Sequence, residues 1–194
     1  ISNQGNLIPI ERDIIIPDDT DSYWQIQVSP GRVWSEVADG DMSRASFPFI
    51  LTSIIENESY NGIATFLYDE ESISSLRYQI VSQLSPFVIQ THFVATGQTE
   101  VTYQHKRFDN INVTQDFERE LGSKLPWRDW TELQGKFGKQ VFENFDSGID
   151  PAMTLTSGLV IDGEIYVRSM NTPFGPYPYP HEMRHGVWSV TKTM

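Results

Sequence analysis

Ser189 and Lys192 stand three residues apart in Ser189-Val190-Thr191-Lys192. On a helix, positions i and i+3 share a face, so that spacing brings a hydroxyl and an amine within hydrogen-bond reach of one another. A serine in a first helical turn also lies near the positive end of the helix dipole and its unpaired N–H groups. A lysine held there and partly desolvated can lose its proton near neutral pH and act as base toward the hydroxyl, which makes the serine a nucleophile. A short way upstream the chain reads His181-Glu182-Met183-Arg184-His185. Two imidazoles at i and i+4 of one helix can hold a zinc ion, with a glutamate between them as base.

The two patterns differ in what must support them. A zinc site of this type needs continuous helix on both sides. Pro176, Pro178 and Pro180 precede it here and Gly186 follows, while Trp188 stands where the extended form of the pattern requires glycine. Proline and glycine interrupt helices, and a helix of five residues is a poor scaffold for two rigid ligands. The expectation is therefore no bound metal or other cofactor, with His181, Glu182 and His185 kept as the alternative metal set. The serine and lysine need only one helical turn, and they are the catalytic pair the sequence favours.

The segment Arg184 to Met194, with Gly186-Val187-Trp188 leading into Ser189-Val190-Thr191-Lys192, resembles the active-site entry of the serine β-lactamase and penicillin-binding-protein superfamily, especially its class C-like esterases and DD-peptidases. The resemblance extends over roughly residues 120–194, with the Ser/Lys segment its specific part. It implies that Ser189 is the acylated nucleophile, that Lys192 is its base or proton shuttle, and that the Ser189 N–H forms half of an oxyanion hole. It implies as substrate a small acyl compound, either an ester, an amide or a β-lactam. The family's Tyr-x-Asn or Ser-x-Asn element and its Lys/His-Thr/Ser-Gly strand are expected beyond Met194, and Tyr177 and Tyr179 do not match the family's tyrosine in order. A helix opening at Val187 and stopping at Met194 predicts that the remainder of the same enzyme, or a homo-oligomer partner, covers it. This chain alone is then expected to be inactive.

The elements that must position these residues fall into two groups. From the start to about Gln104 short apolar runs alternate with turn signals: Ile14 to Ile16 before Pro17, Tyr23 to Val28 before Pro30-Gly31, Phe47 to Ile55, then Asn61-Gly62 as a hairpin signal, Ile63 to Tyr68, and Ile73 to Val81. Thr91 to Tyr103 predicts one or two more strands. Near Asp109 the period changes. Asp116 to Leu121 reads as a helical turn or two. Pro126 starts an amphipathic helix carrying Trp127, Trp130, Leu133, Phe137 and Val141 at spacings of three and four. Met153 to Val167 reads as a hairpin turning at Asp162-Gly163, and the proline-rich stretch from Asn171 to Pro180 as a loop or polyproline-like segment. The predicted class is α+β. A β-rich antiparallel N-terminal domain, sandwich or barrel, spans 1–115, and the opening part of a β-lactamase/transpeptidase-like α+β domain spans 116–194.

Composition narrows the partners. With 26 acidic against 14 basic residues and a net charge of −12, the chain lacks the basic footprint that nucleic acid requires. No run approaches the roughly 20 apolar residues of a membrane-spanning helix. The absence of cysteine excludes thiolate catalysis and cysteine-held metal. It leaves the redox compartment undecided, and the family resemblance implies a secreted or periplasmic protein.

Two further readings belong to other classes. The β-rich domain could itself be a binding or interaction module, with Tyr23, Trp24, Trp34, Tyr60 and Tyr68 as a carbohydrate-stacking platform and the tail non-catalytic. The His181/Glu182/His185 set would make a zinc hydrolase. Asp18, Asp19 and Asp21, and Asp39 and Asp41, are oxygen-rich but lack calcium-loop spacing and read as solvated turns.

Overall fold

The structure, a computed structural model, describes residues 1–16, 22–56, 58–84, 89–90, 94–104, 110–145, 147–148, 156–168 and 171–184. It is α+β, with strand pairing that is antiparallel in all but one pair among the described residues.

The first part is one open sheet, not a closed barrel. Its centre is three long antiparallel strands rich in β-branched and aromatic residues, β5 (Ser43–Ser53), β6 (Ser59–Tyr68) and β7 (Leu76–Leu84). The free edge of β5 is shared end to end by β3 (Trp24–Val28) and β4 (Gly31–Trp34). The free edge of β7 is shared likewise by β8 (Ile89–Gln90) and β9 (Ala95–Thr99). A small N-terminal hairpin, β1 (Ser2–Asn3) and β2 (Asn6–Leu7), extends the sheet beyond β4 and seals Ile8 completely from solvent.

Asn61-Gly62 does not turn the chain. Both residues lie inside β6, paired on one side with Ile50 and Phe49 and on the other with Ser82 and Ile80. Two flanking strands satisfy the backbone there, so long-range pairing overrides the local turn preference. The turn comes earlier, after Ser53, whose Oγ accepts the N–H groups of Ile55 (3.3 Å) and Glu56 (3.1 Å). Glycine at 62 has a packing reason, since a Cβ there would collide with the ring of Phe49. Opposite it the register slips by one residue and leaves Val81 as a bulge.

Beyond the sheet, α1 (Asn110–Ser123) is longer than the turn or two predicted. The single amphipathic helix expected from Pro126 is three elements. Trp127–Asp129 forms β10, which pairs in parallel with Ile165–Val167 and joins a three-stranded sheet. Then come α2 (Glu132–Phe137) and α3 (Lys139–Asn144), separated by Gly138 at φ 86°, a left-handed conformation that ends the first helix. Of the periodic positions, Trp130 and Leu133 are buried beside Tyr166, whereas Phe137 and Val141 are exposed and Phe142 and Phe145 pack against that cluster instead. The predicted hairpin is present as β11 (Gly158–Ile161) and β12 (Glu164–Val167), turning through Asp162 (φ 52°) and Gly163 (φ 77°). It is tied to α2 and β10 by Glu164, which contacts the Lys136 ammonium at 2.7 Å, the Arg128 guanidinium at 2.7 Å and the Tyr166 hydroxyl at 2.7 Å.

The proline-rich stretch holds one tiny hairpin, β13 (Asn171–Thr172) with β14 (Gly175–Pro176), and continues as a strap across the large sheet. No helix among the described residues is long and apolar enough to cross a membrane.

Candidate functional site

The strap is built on alternation. In extended backbone, successive side chains point to opposite sides, so Tyr177 and Tyr179, two apart and separated by Pro178, face the same way. Both are buried, and with Met183 and Val81 they form a core cluster against Ile63, Trp127 and Val167. The bulge at Val81 puts that side chain under the strap. Buried phenols need partners. The Tyr177 hydroxyl donates to the Gly62 carbonyl at 3.2 Å; that of Tyr179 contacts Ser46 Oγ and donates to the Ser46 carbonyl at 3.0 Å. Burial raises the pKa of both, and neutral donors suit both contacts.

The strap's last contact is made by backbone. Asn61 Nδ2 donates to the Arg184 carbonyl at 2.8 Å, and Asn61 Oδ1 accepts the Arg184 N–H at 3.1 Å. A side-chain amide there takes the place of a neighbouring strand, and Asn61 itself is buried.

Between strap, α1 and β10 lies a cleft of about 480 Å³. Phe117, Leu121 and Leu125 form one wall, with Trp127 and Pro178 opposite. His181 lies in a 3-10 turn at Pro180–Glu182, its ring 3.8 Å from that of Trp127. Burial, and next the Lys124 charge, hold its pKa below the usual histidine value. Glu182 receives Lys124 Nζ at 2.5 Å; Lys124 also lies 3.6 Å from Glu120, which pairs with Arg12. Lys124 and Glu182, which line the cleft, thus belong to a chain of alternating charges linking the N-terminal segment, α1 and the strap.

Of the sequence-predicted site residues, His181 and Glu182 lie in this cleft, one packed at a tilt against an indole and the other in an ion pair. Met183 is extended (φ −68°, ψ 131°), so the helical turn does not continue past Glu182. Among the described residues no group of three His, Asp or Glu side chains is placed to hold a metal. Ser189, Lys192 and His185 lie outside the described residues, as do Asp18, Asp19 and Asp21. Asp39 is engaged by Arg44 through two hydrogen bonds, at 3.0 and 2.5 Å.

The aromatic residues considered as a stacking platform are divided between two ends of β5. Trp24 and Tyr60 pair at Ser53 and Leu51 and pack edge to face, 5.5 Å apart. Trp34 and Tyr68 pair at Arg44 and Ser43. One face of Trp34 is covered by the Arg32 guanidinium, 4.4 Å from the ring centre. The Tyr68 ring packs against Phe66.

Sequence reasoning missed Asn61 and the cleft. Asn61 was hidden by the Asn-Gly turn signal, and the cleft exists only where strap and α1 meet. Comparison with protein-family models, with curated proteins and with solved structures finds no match to this chain.

Proposed function

We propose that this chain supplies the nucleophile-bearing part of a serine hydrolase that works through an acyl-enzyme. The observation that carries the reading is Ser189-Val190-Thr191-Lys192 with its lead-in Gly186-Val187-Trp188. Neutral Lys192 accepts the Ser189 proton as Oγ bonds to the carbonyl carbon of an ester, amide or β-lactam. The bond to the leaving oxygen or nitrogen then breaks, that atom takes the proton, and water hydrolyses the acyl-serine in the second half. The hairpin of β11 and β12 agrees with the opening of such a domain. The doubly bonded Arg184 gives the chain a fixed departure point five residues before the serine. A secreted or periplasmic location belongs to the same reading.

The test is covalent labelling of the full-length protein by a fluorescent penicillin or an activated acyl ester, with the modified residue located by peptide mass spectrometry. Label is expected on Ser189 and is expected to vanish in Ser189→Ala. Label that persists in that variant overturns the assignment.

A further inference from the structure

In a chain with 26 acidic and 14 basic residues, most described cations of this region are neutralised: Arg12 and Lys124 by Glu120 and Glu182, Arg44 by Asp39 and Glu36. Arg32 is different. It is exposed on β4, and no carboxylate among the described residues lies within ion-pairing distance of it. Its guanidinium lies 4.4 Å from the centre of the Trp34 ring, and the Tyr179 hydroxyl feels its charge. That hydroxyl also accepts a hydrogen bond from the Arg32 side chain, and the remaining N–H groups at the edge of the indole can bind a planar anion.

Arg32 also stands at a junction. It lines the 480 Å³ cleft beside α1 and a second cavity of about 340 Å³, whose lining includes Thr65, Gln79 and Thr172. The first offers an apolar wall of Phe117, Leu121, Leu125 and Trp127 next to the cation. An apolar recess with a few convergent polar groups is the usual form of a small-molecule site.

We infer that Arg32 binds the carboxylate of a small organic acid whose apolar body lies in the cleft between α1 and Trp127. This site is independent of the acyl-transfer reading, since it uses none of the residues assigned to that chemistry. An excess of acidic side chains elsewhere makes the unpaired guanidinium selective by position: anions are repelled from most of the surface and held here. The apolar wall sets the second requirement, so a bare anion lacks the contacts that a phenylalkyl or branched-alkyl acid makes.

The experiment is calorimetric titration of the full chain at pH 7.5 with 4-phenylbutyrate, with its neutral amide and with acetate, supported by ligand-observed NMR. Phenylbutyrate is expected to bind with a Kd of about 1 mM or tighter, given its size. The amide and acetate are expected to bind about tenfold more weakly or worse, the amide for loss of the charge-assisted bonds and acetate for loss of the apolar contacts. Arg32→Gln should weaken phenylbutyrate binding by about tenfold, and Arg32→Lys by less, because the charge survives without the fork. Leu121→Glu, on the exposed face of α1, should abolish binding by placing a like charge on the wall without disturbing the core. No saturable binding by about 10 mM, equal binding of acid and amide, or an unchanged Kd in Arg32→Gln would each overturn the proposal. Loss in Arg32→Gln with no effect of Leu121→Glu would overturn the cleft as the seat of the apolar body.

Discussion

Asn61 and Arg184, 123 residues apart in the chain, hold one another through a reciprocal pair of hydrogen bonds, 2.8 Å from the amide nitrogen to the carbonyl and 3.1 Å from the backbone N–H to the amide oxygen. The pair fastens the end of the strap to the centre of the sheet. Removing the side chain takes away both hydrogen bonds to the partly buried Arg184 peptide groups, each worth about 1 kcal/mol net. Asn61→Ala is expected to destabilise the protein by about 2 kcal/mol in urea unfolding. Asn61→Asp keeps the acceptor and loses the donor, so it should also destabilise. Limited proteolysis should cut the strap of Asn61→Ala sooner than that of the native chain. A strap equally resistant in both would show that the two tyrosines suffice to hold it.

Glu164 is surrounded by Lys136, Tyr166 and Arg128, whose hydrogen bonds lower its pKa from the ordinary 4.5 to about 2. A depressed carboxylate adds stability that is complete above the ordinary value and is lost as pH falls from there through the folded value. Melting temperatures of the native chain and of Glu164→Gln, followed between pH 7 and pH 2, should therefore converge below about pH 4.5. Asp69 and Asp129, also depressed by hydrogen bonds, contribute equally to both proteins and cancel in the difference. Parallel curves across the whole range would mean that the cluster carries no proton-linked stability.

His181 is expected to give an optical signal because its ring packs against that of Trp127. Its pKa is lowered, so the folded state disfavours the charged ring; the unfolded chain takes up the proton first, and stability declines as pH falls below the ordinary value of 6.5. Tryptophan fluorescence of the native chain, with that of Trp127→Phe subtracted, should titrate with a midpoint below 6.5. His181→Gln should remove the transition. A midpoint above 6.5 would mean that Glu182, not burial, dominates the ring's surroundings.

How far the fold could be read from the residues depended on how local the deciding interactions are. The hairpin at Asp162-Gly163 was legible because its turn needs two positive φ angles and those two residues tolerate them. Trp130 and Leu133 were legible as buried positions but not as to element type, because Trp127–Asp129 becomes a strand only where Ile165–Val167 lies alongside to receive it, and Phe137, expected on the same face, is exposed. Asn61-Gly62 was misleading for the same reason: a dipeptide suited to a turn is held straight when strands pair with it on both sides.

The candidate chemistry divides along the same line. Ser189 and Lys192 are a local pattern, three residues apart, and the proposal of their pairing and acyl-transfer chemistry comes from the sequence by itself. Composition by itself set the acidic balance. Only the tertiary structure decided that His181 lies on an indole and that Glu182 answers a lysine 58 residues earlier. It alone decided that Asn61 grips the strap and that Arg32 lines a cleft with an apolar wall, with no carboxylate among the described residues within ion-pairing distance. Each of those depends on which distant side chain stands within a few ångströms, and hydrogen bonds, stacking and ion pairs act over that distance whatever the separation along the chain.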